Sequence, residues 1–167
     1  MVLGFLSLSA FTTLHVIISL IAIVSGIVVL IAMLGSRQLV GLTSLFLVTT
    51  ILTSATGFLF PIKGFTPALA VGALSLLILA LALIGLYGRR LMGNWRWIYV
   101  AAAIAALWFN VFVLIVQAFL KVPALHALAP NGNEPAFLVT QAVALAVFLI
   151  LGIAAAIRFH PAERMPA

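Results

Sequence analysis

Long apolar stretches, interrupted at short intervals by Gly, Pro and basic residues, organise this chain. Five stretches reach the roughly 20 apolar residues needed to cross a bilayer as a helix. They run from about 14 to 34, 39 to 60, 68 to 87, 98 to 120 and 135 to 157. Gly35-Ser36-Arg37, Pro61, Gly88-Arg89-Arg90, Lys121 with Pro123, and Arg158 with Pro161 end them in turn. Pro135 suits a first helical turn, where its missing N–H costs nothing. Glu134 before it suits the positive end of the helix dipole. Residues 1–12 are apolar but short, and either extend helix one or lie on the interface. The stretch Pro123 to Ala129 is expected to make one or two helical turns at the membrane surface. The pattern contains no repeat and no second domain.

Composition strengthens this reading. Of 167 residues, 66% are apolar and 6% charged. A soluble domain is about 45–50% apolar and about 25% charged. The expected fold is therefore an all-α bundle of five transmembrane helices forming one domain, residues 1–167. No Lys or Arg precedes Arg37, so the start does not read as a cleaved signal peptide. With no cysteine, disulfides and thiolate metal sites are excluded. The two acids, Glu134 and Glu163, both fall outside the apolar stretches. Proton-coupled transport normally uses an acid inside the membrane, so the count argues against it and against carboxylate catalysis. No metal site is expected.

The basic residues sort by side. Arg37, Arg89, Arg90, Arg96, Arg158 and Arg164 share one face, and Lys63 and Lys121 share the other. The positive-inside rule then puts the N-terminus outside and the C-terminus in the cytoplasm. Trp95, Trp97 and Tyr99 fit an interfacial aromatic belt. The high pI of 11.4 is thus a topology signal, and no nucleic-acid partner is implied.

Within lipid the polar residues are the informative ones. Asn110, Gln117 and Lys121, at i, i+7 and i+11, share a helical stripe. Asn110 lies roughly 16 Å along the helix from Lys121, near the bilayer middle. Thr49, Thr53 and Thr56 form a second stripe, with Thr50, Ser54 and Gly57 beside it. His15 and Ser19 add a third, and Thr140 and Gln141 lie near the outer end of the last helix. An outward-opening pocket between helices one, two, four and five is expected, built from His15, Thr53, Asn110, Gln117 and Lys121, with His126 and Glu134 at its rim. Asn110, Gln117 and Thr53 would hydrogen-bond a head group and Lys121 would recognise charge. The plain alternative is that these groups glue helices together, at roughly 0.6 kcal/mol each, that Lys121 snorkels, and that His126 is a surface residue.

Four functions compete on these residues. One is an accessory subunit of a membrane complex, or a self-associating chain, packed through the small residues Ala22, Gly26, Ala101 to Ala106 and Ala154 to Ala156. Another is a non-enzymatic binder of an amphiphile, a quinone or lipid, in the outer pocket. A single b-type haem held by His15 and His126 is a third, without the usual double-His helix pattern. The fourth is an enzyme or a facilitator for a neutral solute; no catalytic motif supports an enzyme, and the polar track stops near the midplane. The bilayer itself is an expected partner.

The run Phe109-Asn110-Val111-Phe112-Val113-Leu114-Ile115-Val116-Gln117-Ala118-Phe119-Leu120-Lys121-Val122-Pro123-Ala124-Leu125-His126 resembles a stretch of small multi-pass bacterial inner-membrane proteins with no assigned activity. Leu52-Thr53-Ser54-Ala55-Thr56-Gly57-Phe58-Leu59-Phe60-Pro61 resembles the same group. The resemblance implies a bacterial inner membrane and carries over no functional residue.

Overall fold

The computed structural model describes residues 7–61 and 67–161. Among them the chain is all helical. Its elements are α1 (Leu8–Leu34), α2 (Val40–Gly57), α3 (Pro67–Leu83), a π-helical turn (Ile84–Gly88), α4 (Trp95–Lys121), the single turn α5 (Pro123–His126) and α6 (Pro135–Arg158). Five of these segments are long and apolar enough to cross a membrane.

The boundaries differ from the sequence expectation where polar side chains satisfy themselves locally. Helix one starts at Leu8, not Leu14, so residues 8–12 extend it. Ser7 occupies the N-cap and its hydroxyl accepts from the Ala10 N–H at 3.1 Å. Thr12 and Thr13, which look like a polar boundary, donate to the carbonyls of Leu8 and Ser9. Such back-bonding hides a hydroxyl inside its own helix. Helix two stops at Gly57 rather than Phe60. Pro61 disfavours helical backbone in the residue before it. Phe60 instead turns its ring towards Phe11 and His15, at 4.9 and 5.2 Å between ring centroids.

The third span begins at Pro67 and ends in a π turn. Arg89 N–H donates to Ile84 at 2.8 Å. The wider turn brings Gly85 against α4, where an added Cβ would lie 3.1 Å from Tyr99 Cβ and 3.2 Å from the Trp95 carbonyl. Helix four begins earlier, at Trp95, and the last helix matches its expected start at Pro135.

Around α4 the other spans form an open arc: α6, α1, α2 and α3 follow one another, and each also touches α4. The core lies towards one end. Leu30, Met33, Phe46, Leu47, Leu79, Tyr99, Leu107 and Phe159 are buried together there. All belong to the half of the bundle near Arg37, Arg89, Arg90, Arg96 and Arg158, the arginine end. Small residues make the close packing possible. Ala102, Ala103 and Ala106 of α4 are buried, as are Ala22 and Gly26 of α1. In lipid, helices gain little from hiding apolar surface from one another, so close approach through small residues has to hold them.

Arg96 fastens the last helix. Its Nη1 donates to the carbonyls of Ala156, at 3.1 Å, and Phe159, at 2.5 Å. These are carbonyls at the C-terminal end of α6, which otherwise lack helical donors. The His160 N–H then donates to Ser36 Oγ at 2.8 Å, tying the chain to the end of α1. By contrast, the rest of α6 presents Leu138, Val139, Val143, Leu149, Ile150, Ile153 and Ile157 outward.

Gly26 provides a sharp test of this packing. A Cβ there would lie 2.6 Å from Leu107 Cδ1 and 2.8 Å from Phe46 Cδ2, both on buried side chains. Gly26→Ala should therefore destabilise the bundle by about 1–3 kcal/mol despite alanine's higher helix propensity. Gly41 has nothing within 4 Å of an added Cβ, so Gly41→Ala should be neutral or stabilising. Reversible unfolding in mixed micelles would measure both; equal effects would refute the close-approach account.

Candidate functional site

The end of the bundle opposite the arginines is the lysine end. Here α1, α2 and α4 bring polar groups together. His15 sits two turns into α1 and is half-buried. Its Nδ1 lies 2.8 Å from Thr56 Oγ1 of α2. Thr56 donates its own hydroxyl proton to the Leu52 carbonyl at 2.6 Å. The shared hydrogen bond therefore takes its proton from His15 Nδ1. In the neutral ring this leaves Nε2 as an acceptor. Phe60 packs edge-on against the imidazole and Phe11 backs Phe60, so an aromatic pair flanks the His15–Thr56 pair. Lys121, the last residue of α4, is exposed at the same end of the bundle.

Thr53, one turn before Thr56, is half-buried, and its Oγ1 has no partner. That contrasts with Thr49, Thr50 and Thr56, each of which donates to its own helix. A buried hydroxyl without a hydrogen bond is costly, so this orphan marks a place where a further polar group would be welcome.

The expected stripe on α4 divides. Asn110 is buried and its Nδ2 donates to Thr50 Oγ1 at 3.2 Å, while Thr50 donates to the Phe46 carbonyl at 2.7 Å. This pair joins α4 to α2 and is helix glue. Gln117 and Lys121, on the same stripe, are exposed. α2 runs in the same direction as α4, so Thr50 is level with Asn110, and α2 ends at Gly57, level with Gln117. Exposure of the stripe begins at Leu114, one turn beyond Asn110.

The remaining candidates lie elsewhere. His126 is exposed on the single turn α5. Glu134 stands at the N-cap of α6, but its carboxylate makes no cap hydrogen bond. It turns back to the loop instead. Its Oε1 accepts from the Asn131 N–H at 3.0 Å and Asn131 Nδ2 at 2.8 Å, and its Oε2 from the Asn133 N–H at 3.1 Å. Partial desolvation opposes the charge, but these donors outweigh it and hold the carboxyl below its ordinary range. Gln141 of α6 donates to the Phe112 carbonyl of α4 at 3.2 Å, and Thr140 donates to its own helix. The polar groups of α6 thus serve packing, and the grouping around His15 comes from α1, α2 and α4. Lys63 lies outside the described residues. Among the described residues no cluster of His, Cys, Asp or Glu could hold a metal ion.

In the sequence Thr56 is legible only as part of a stripe, and Phe11 and Phe60 carry no signal of their own. A His and a Thr separated by 41 positions carry no local signal. Pro61 was the available clue to Phe60, since it forces the residue before it out of the helix.

No protein-family model, curated protein or solved structure matches this chain.

Two outcomes test the geometry. Thr50→Val strands the Asn110 amide and should cost more than Asn110→Leu, which leaves Thr50 bonded to Phe46; the pair coupling should be about 0.6 kcal/mol. A double-mutant cycle in bicelles measures it, and a coupling near zero would remove the glue role. Secondly, because the folded-state pKa of Glu134 is lowered, its support of the loop is present near neutral pH and lost as pH falls through that lowered value. Hydrogen-exchange protection of the Asn131 and Asn133 amides should drop with acid, and Glu134→Gln should flatten the dependence. Protection that is flat with pH in the wild type would contradict it.

Proposed function

We propose that this chain is a non-enzymatic integral membrane protein that binds the head of an amphiphile, of quinone or lipid class, at the lysine end of the bundle. The observation that carries the reading is the half-buried His15 pinned by Thr56, one turn along α2 from an orphaned Thr53 hydroxyl, at the end of the bundle that carries Lys121. His15 Nε2 would accept from a hydroxyl of a quinol or a lipid head group. Thr53 would donate to a carbonyl or ester oxygen, and Lys121 would attract negative charge. Phe11 and Phe60 offer an apolar flank to the adjoining chain or ring. Gln117 reaches the same level from α4 and would add a contact at the exposed edge. Asn110, already engaged by Thr50, has a lesser part. Exposure of His126 on α5 gives a haem clasped between two histidines no comparable support.

The orientation follows the charges. With five arginines at one end among the described residues and Lys121 at the other, the arginine end would face the cytoplasm and His15 the outside. A bacterial inner membrane is the setting the sequence resemblance implies. An accessory role in a larger complex is compatible with the exposed face of α6, but that face equally suits lipid.

Carbethoxylation of His15, read by peptide mass spectrometry on the detergent-solubilised protein, tests the site. Decylubiquinol or short-chain phosphatidylglycerol should slow modification of His15 several-fold and leave His126 and His160 unaffected. Lys121→Ala should abolish protection by the anionic lipid, and Thr53→Val should weaken both. If neither compound protects His15, the reading fails.

A further inference from the structure

A second feature lies on the opposite side of α4 from α3. Between α4 and α6 runs an apolar groove of about 500 Å³, lined by Trp97, Ile104, Trp108, Phe148, Gly152 and Ala156 among others. The groove exists because small residues keep the two helices' facing surfaces low. An added Cβ on Gly152 would lie 3.3 Å from Ile104 Cγ2, so larger residues there would crowd α4. Trp97 and Trp108 are eleven residues apart, about 16 Å along the helix. That is about half of a hydrocarbon core roughly 30 Å thick. The groove thus extends from the arginine end to the middle of the membrane, the depth of a single leaflet.

Its mouth carries a fixed cation. The Arg96 guanidinium lies 4.8 Å from the Trp97 ring centroid, and its Nη1 is held by the carbonyls of Ala156 and Phe159. Both Trp97 and Ala156 line the groove, so the cation and the apolar channel are continuous. One nitrogen takes both carbonyls, which leaves the donors on Nη2 and Nε for another acceptor. Arg158, at the last position of α6, is exposed at the same end. Arginine's fork matches a phosphate oxygen pair.

We propose that this groove is a binding site for one anionic phospholipid of the arginine-end leaflet, with an acyl chain lying between Trp97 and Trp108 and the phosphate on Arg96. The charge complementarity and the one-leaflet length select this occupant over a neutral lipid or a second copy of the chain. The site is separate from the amphiphile site at His15, shares no residue with it and stands without it.

Tryptophan fluorescence in vesicles tests the assignment. The protein has three tryptophans, so Trp95→Phe leaves Trp97 and Trp108, the two that line the groove, as reporters. Phosphatidylglycerol brominated on its acyl chain should quench them at an about fivefold lower mole fraction than brominated phosphatidylcholine, the preference one interfacial cation supplies. Arg96→Gln should remove that preference, and Arg96→Lys should keep part of it. Ala101→Phe, which fills the groove without touching Arg96, should abolish the preference too, and it covers the case in which Arg96→Gln loosens α6. Arg90→Gln removes a cation at the same end, beside α3, and should leave the preference intact. Equal quenching by the two lipids overturns the proposal. So does a preference that survives Ala101→Phe, or one that Arg90→Gln lowers as much as Arg96→Gln, since the general field of the arginine end would then account for it. Quenching that depends on protein-to-lipid ratio, with a cross-linkable dimer through α6, would identify a second copy as the occupant and overturn it equally.

Discussion

Close approach between α4 and its neighbours is the constraint on which the bundle depends. A lipid tail is as good a partner for leucine as another helix is, so apolar surface alone gives these helices little reason to associate. What they gain is packing, and packing needs short side chains at the crossing. Gly26, Ala102, Ala103 and Ala106 supply them, and the large core residues Phe46, Tyr99, Leu107 and Phe159 fill the space around. Arg96 and Ser36 then fix the end of α6 beneath that core.

Because the tight half is at the arginine end, the lysine end is looser, and that asymmetry decides where polar chemistry can sit. In the tight half Thr43 is buried, and near the middle of the bundle Thr50 and Asn110 are buried and bonded to each other. Towards the other end α2 stops at Gly57, Phe60 packs on Phe11 and His15, His15 is only half-buried, and the Thr53 hydroxyl is left without a partner. A polar group in the membrane is expensive unless paired. The groups at this end are only partly paired, which is why the amphiphile reading rests there.

The groove between α4 and α6 comes from the same economy of side chains on α4's other face. Residues that are small enough to let α6 approach also leave a channel beside it. Arg96 has two consequences at once: it satisfies the carbonyls at the end of α6, and it places a fixed positive charge where that channel meets the interface.

Much of this was legible in the chain. The five apolar stretches, the turns between them and the segregation of arginine from lysine follow from composition and spacing, because a bilayer demands about 20 apolar residues per crossing whatever they pack against. Stripes at helical spacing likewise put Asn110, Gln117 and Lys121 on one face of α4. Tertiary structure alone decided that Asn110 is buried against Thr50 while Gln117 is exposed, since that depends on how a neighbouring helix packs over the face. It also decided that His15 meets Thr56 and that Glu134 serves the Asn131–Asn133 loop. Periodicity reports which residues share a face of one helix; it holds no information on the level at which a second helix covers that face.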